Sequence, residues 1–167
     1  MSYNFARMKI FFLYLITTIC IVYLASCNRK IPMQAQTISY ALRLKPGQDL
    51  RKSLQIFVAE KNIKAGWVAT CAGSLTQYNI RFANEPEGSF KTGYFEIVSL
   101  SGTLSVNGNH IHIAVSDSTG KTIGGHLLEN CLIYTTAEIV IQSASNLQFS
   151  RMKDGTTAWE ELQIKEN

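Results

Sequence analysis

Residues 106–127 read VNGNHIHIAVSDSTGKTIGGHL, and the alternation inside this stretch decides how the chain folds. From His110 to Ser116 the apolar Ile111, Ile113 and Val115 fall on one parity and His110 and His112 on the other. A period of two is that of a β-strand with one buried face. Asn107-Gly108 in front of it reads as a two-residue type I′ hairpin turn. Asp117 to Gly120 behind it is a second turn, after which Lys121 to Ile123 returns as a strand.

Working outward, the same alternation marks further strands. Ile38, Tyr40, Leu42 and Leu44 share a parity, and Pro46-Gly47 ends that run. Asp49 then caps a helix whose Leu50, Leu54, Phe57 and Val58 form one apolar stripe. It is the one long helix the pattern predicts. Ala65 to Cys71 and Leu75 to Ala83 read as two strands separated by Gly73-Ser74, and Gly93 to Val106 as another with a bend at Gly102. Glu138 to Ser143 is a strand, and Asp154-Gly155 links the last short strand to Trp159 through Ile164. The expected class is α+β: largely antiparallel twisted sheet with one main helix.

The first 26 residues read differently. Arg7 and Lys9 precede Ile10 to Leu24, fifteen residues without a charge, glycine or proline. A helix needs about 20 apolar residues to span a bilayer, so the pattern is that of a secretory signal. It ends in Leu24-Ala25-Ser26-Cys27, which resembles a bacterial lipobox, with Cys27 as the lipidated residue. Residues 1–26 are therefore expected to be a lipoprotein signal peptide, 27–37 a polar tether and 38–167 the folded domain. The expected location is the cell envelope, lipid-anchored to a membrane through Cys27 and facing the periplasm. Cleavage removes Arg7 and Lys9 and no acid, taking the formal charge from +4 to +2. Cys20 leaves with the signal. Cys71 and Cys131 could pair in an oxidising compartment, but each sits in an apolar run, where a free core thiol is the favoured expectation.

All three histidines lie between 110 and 126. His110 and His112 share a strand face, and the turn at Asp117 to Gly120 brings His126 back toward them. Gly124 and Gly125 are expected to let the backbone bend there. Three neutral imidazoles with a fourth position open are the donor set of a catalytic zinc, which acidifies its bound water. Nickel, cobalt, iron and copper are also compatible with imidazole. Glu138 is a candidate proton relay or outer acceptor, and Arg81 a candidate clamp for an anionic substrate.

Several segments together resemble the PPC domain family of plants and prokaryotes. They are Gly73-Ser74-Leu75 with Ile80 to Ala83, Glu96 to Leu104, His110 to Asp117, Gly120 with Ile123 to Leu127, and Thr136 to Ile141. The resemblance runs from about Ile38 to Ile164. It implies a compact α/β sandwich-like fold, a homotrimer, and in prokaryotic members a metal held by histidines matching His110, His112 and His126. The fold is also similar to that of acetolactate decarboxylase, a zinc lyase with a histidine triad of comparable order.

Two functions follow. One is a metal-dependent lyase or hydrolase acting on a small oxyacid, with zinc on the three histidines. The other is a non-catalytic trimeric module that binds a small molecule. Plant members of the family associate with DNA and carry AT-hooks. Phosphate recognition needs clustered Lys and Arg, whereas here the mature charge is +2 and no Arg-Gly-Arg-Pro hook is present, which argues against a nucleic-acid role.

Overall fold

The computed structural model describes residues 36–166. The signal peptide, Cys27 and nearly all of the tether lie outside them. The elements run β1 (Thr37–Leu44), α1 (Leu50–Glu60), β2 (Gly66–Arg81), β3 (Ser89–Leu104), β4 (His110–Ser116), β5 (Thr122–Leu127), β6 (Leu132–Ala144), β7 (Leu147–Met152) and β8 (Glu161–Glu166). Among the described residues the fold is mostly antiparallel sheet with one helix, as the strand alternation and the Leu50–Val58 stripe predict.

Six strands form one sheet in the order β1-β6-β2-β3-β4-β5, and β5 also pairs with the end of β2. Ile80 faces Leu127 and Arg81 faces His126 in that extra pairing. β2 to β5 therefore close on themselves, while β6 and β1 extend from the first part of β2. The remaining two strands, β7 and β8, form a separate hairpin.

The core follows from the parity read in the sequence. Ile111, Ile113 and Val115 of β4 are buried together with Leu75 and Ile80 of β2, Leu104 of β3 and Ile139 and Ile141 of β6. Each such side chain contributes about 1.5–3 kcal/mol of burial free energy. Helix α1 lays Leu50, Leu54 and Val58 against this core. Asp49 caps it by accepting from the Lys52 amide at 2.9 Å. The other Asp49 carboxylate oxygen accepts from the Asn130 amide at 2.5 Å, so the cap also ties the helix to the loop before β6. Among the described residues no helix is long and apolar enough to cross a membrane.

Two local expectations change. The segment read as two strands around Gly73-Ser74 is one strand, β2, which shifts register between Gly73 and Leu75. Gly73 is required by proximity and not by a turn: a Cβ there would sit 2.3 Å from the Thr136 carbonyl oxygen of β6. Neither is Asn107-Gly108 a two-residue turn. The connection runs from Ser105 to Asn109, with the Ser105 amide donating to Asn109 Oδ1 at 2.8 Å and the Gly108 amide to the Ser105 carbonyl at 3.0 Å. Tertiary bonds select this wider loop. The Ser105 hydroxyl and the Asn107 side-chain amide both donate to the Phe149 carbonyl of β7 at 3.0 Å, which docks the terminal hairpin.

Cys71 and Cys131 are free. Burial pushes both thiols up to about 11, so neither carries appreciable thiolate at neutral pH.

Candidate metal centre

His112 of β4 lies directly opposite His126 of β5, and cross-strand partners present their side chains on one face. His110, two positions along β4, shares that face. The opposite face of β4 carries the buried isoleucines, so the imidazoles stand on the side away from the core. A ligating nitrogen from each ring lies within 4.8 Å of the others. His110 Nε2 and His112 Nε2 are 3.1 Å apart. The edge of a tetrahedral nitrogen set at metal bonds of about 2.0–2.1 Å is roughly 3.4 Å, so this pair already has coordination spacing and His126 needs only a small ring movement. The residues present fit a divalent transition metal.

The two glycines before His126 act by absence of bulk. A Cβ on Gly124 would lie 2.9 Å from the Ile113 carbonyl oxygen, and one on Gly125 2.4 Å from that of Arg81. Neither has a positive φ among the residues that do, so the expected backbone bend is replaced by close strand approach. That approach lets β5 bridge β4 and β2, which carries His126 to His112 and to Arg81 at once.

Burial lowers the pKa of His110, and the nearby Arg151 and His112 add to the effect. Burial also pushes His126 down to about 4, reinforced by the Arg81 guanidinium and the other two histidines. Both rings are therefore neutral at pH 7, which is the form a metal requires.

Arg81 is brought to the centre. It lines two depressions that also include His110 and His126. Its guanidinium lies 5.3 Å from the Trp159 ring centroid and donates to the Glu85 carbonyl at 3.3 Å. Glu138 is placed elsewhere in the subunit. It is exposed, opposite Ala72 on β2 and Arg43 on β1, and lines a separate shallow depression. Ala72 precedes Arg81 by nine residues, up to roughly 30 Å of strand at about 3.3 Å per residue, so Glu138 serves as a sheet-surface residue in this geometry.

The carboxylates beside the triad are Glu160 and Glu161, and sequence reasoning missed them along with Arg151, Lys153 and Trp159. All five come from the terminal hairpin and its loop. Arg151 Nη2 lies 3.3 Å from His110 Nδ1 and donates to the Glu160 carbonyl at 2.6 Å. From the other side, Arg51 in the first turn of α1 donates to the Leu127 carbonyl at 3.2 Å. Nothing in the local pattern around these residues points to a site; only the docking of β7 against the Ser105–Asn109 loop does.

Known proteins agree with this architecture. The chain is 42% identical over 142 residues to the bifunctional protein GlmU of Synechococcus sp. (strain JA-3-3Ab), a match that covers 84% of this chain and only 23% of that protein. A solved hypothetical protein from Salmonella cholerae-suis superposes with a TM-score of 0.79 at 40% identity, covering 80% of this chain and 97% of its own. A metal-containing protein from Archaeoglobus fulgidus superposes with a TM-score of 0.67 at 25% identity, covering 80% of this chain and 99% of its own. Residues 33–145 match the Plants and Prokaryotes Conserved (PCC) domain, which leaves β7 and β8 beyond the matched segment. On that match, and on the motifs from Gly73 to Ile141, the chain belongs to the plant and prokaryote conserved domain family.

Proposed function

We propose that His110, His112 and His126 hold a divalent transition metal, zinc first among the candidates, and that the surrounding cations hold a small oxyacid against it. The observation that carries this reading is the convergence of three imidazoles within 4.8 Å, each on a strand whose register leaves little freedom. The donor set is all nitrogen, which suits zinc and its first-row neighbours better than magnesium or calcium. The Archaeoglobus relative, described as metal-containing, supports it.

When bound, such an ion supplies Lewis acidity toward an oxygen donor. The chain's own residues account for the rest. Arg81, Arg151 and Lys153 outnumber Glu160 and Glu161 around a depression of about 660 Å³, so its field favours an anion. Trp159 and Ala158 give it an apolar side. Lyase or hydrolase chemistry on that ligand is the catalytic form of the proposal. Elemental analysis of the purified chain tests the metal: about one transition-metal equivalent per chain is expected, and a metal-free protein that takes up none on incubation with zinc chloride would overturn it.

We further propose that Cys27 anchors the protein to a membrane facing the periplasm and that the domain assembles as a trimer. The lipobox and the family resemblance support these two readings. The mass of the mature N-terminal peptide tests the first, with diacylglyceryl on Cys27 expected and an intact residue 1–26 segment counting against it. Sedimentation of the solubilised protein tests the second, with a single species of three chains expected and a monomer counting against it.

A further inference from the structure

Helix α1 opens with Arg51 and Lys52 and has no acid in its first turn, the reverse of what its dipole favours. Lys52 is offset by Glu129, 3.3 Å away. Arg51 makes no ion pair among the described residues. Its guanidinium donates to the Leu127 carbonyl at 3.2 Å, which occupies one of its five N–H groups. Arg51 also lines a narrow cleft of about 180 Å³ together with Arg81, Asn109, His110 and His126. No carboxylate lines that cleft. Asn109 Oδ1 is taken by the Ser105 amide at 2.8 Å, so what Asn109 offers the cleft is its NH2 group. Two guanidiniums and an amide make a seat of donors beside the three histidines.

The wider depression, about 660 Å³, has a different balance. Its surplus of one cation is Arg81, which belongs to both spaces, while Arg151 and Lys153 are matched by Glu160 and Glu161. Arg81 also joins the two spaces chemically. Its guanidinium lies 5.3 Å from the Trp159 ring centroid, and that tryptophan is 63% exposed. Small-molecule pockets measure about 300–1,000 Å³, so the wider space suits the body of a ligand and the cleft only a single group of it.

We infer that the ligand is an acid with one oxyanionic group, a carboxylate or a phosphoryl, seated in the cleft between Arg51 and Arg81, with its uncharged body against Trp159. Both guanidiniums can meet an oxyanion with charge-assisted hydrogen bonds. A second anionic group would lie in the wider space, where Glu160 and Glu161 cancel what Arg151 and Lys153 supply. Arg51 is in this view a binding residue as well as a tether between α1 and β5. The inference rests on the proposed function above, because it places the oxyanion beside the metal's ligands.

The experiment titrates the zinc-loaded, dialysed intact chain by calorimetry with monomethyl glutarate, glutarate and butyl phosphate. It repeats this for Arg51→Met, Arg51→Lys and Lys52→Met, with a zinc titration and a thermal melt of each. Arg51→Met is expected to weaken monomethyl glutarate or butyl phosphate by about 10- to 150-fold, the worth of a hydrogen bond to a charged group. Arg51→Lys, which keeps the charge, should recover part of that. Lys52→Met removes the same charge one residue along, outside the cleft, and should change the affinities by about twofold or less, as for an exposed, screened charge. Glutarate should bind no more than about fivefold tighter than its monoester, since its second carboxylate finds no net charge. The tighter of the ester and the phosphate names the oxyanion, and either result supports the inference when Arg51→Met loses it. A loss in Arg51→Met no larger than in Lys52→Met, a parallel loss of its zinc affinity, glutarate tighter by more than about fivefold, or no probe binding would overturn the inference while the metal reading stands. No zinc uptake by the intact chain would overturn both.

Discussion

Replacing His112 by alanine is expected to lower zinc affinity by at least about 100-fold while leaving the domain folded. Removing a partner that merely orients a metal ligand already costs about 10- to 100-fold, and His112 is itself a ligand at the middle of the triad, opposite His126 and 3.1 Å from His110. The fold is insulated from the change because His112 is exposed. The core contribution of β4 comes from Ile111, Ile113 and Val115 on the other face. An exposed substitution of this kind shifts stability by roughly 0.5 kcal/mol or less. Metal content after dialysis, read beside a thermal melt of the metal-free protein, separates the two effects. A variant that keeps its metal would show that the imidazoles converge for another reason.

Gly125→Ala is expected to be the most damaging single methyl group near the centre, costing about 3 kcal/mol and weakening metal binding with it. The new Cβ would lie 2.4 Å from the Arg81 carbonyl oxygen and 3.0 Å from Ile80 Cγ2. The nearer of these is backbone, fixed by the β2–β5 pairing of Ile80 with Leu127 and Arg81 with His126, so it cannot rotate away as a side-chain tip would. Overpacking of this kind usually costs about 1–3 kcal/mol, and a clash with paired backbone belongs at the upper end. Relief requires β5 to leave β2, which opens the closed part of the sheet and withdraws His126 from Arg81. A denaturant melt measures the stability loss and a zinc titration the loss of affinity. If the variant is as stable as the parent and binds zinc equally well, the closure of β2 to β5 does not set the site.

These two expectations divide what local pattern reveals from what it hides. Period-two alternation named β4 with both of its boundaries, because it needs only each residue's neighbours and a buried face on one side. The same parity put His110 and His112 together. The apolar stripe from Leu50 to Val58 and the cap at Asp49 were equally local, and the helix is where they indicate. Gly73 and Gly125 were misread by the same local logic. A glycine signals conformational freedom when seen in sequence, but here it signals a neighbouring backbone that the sequence does not display.

By itself the sequence determined the α+β class, the main helix, the buried parity of β4 and the shared strand face of His110 and His112. Only the tertiary structure decided that Arg81 stands opposite His126, that Glu138 does not join them, and that Arg151, Glu161 and Trp159 do. Strand alternation and helix capping act over a few residues, so the local order of residues records them. Sheet closure and hairpin docking join segments about forty residues apart, as Arg151 and His110 are, and depend on which backbones can touch once the side chains between them are packed.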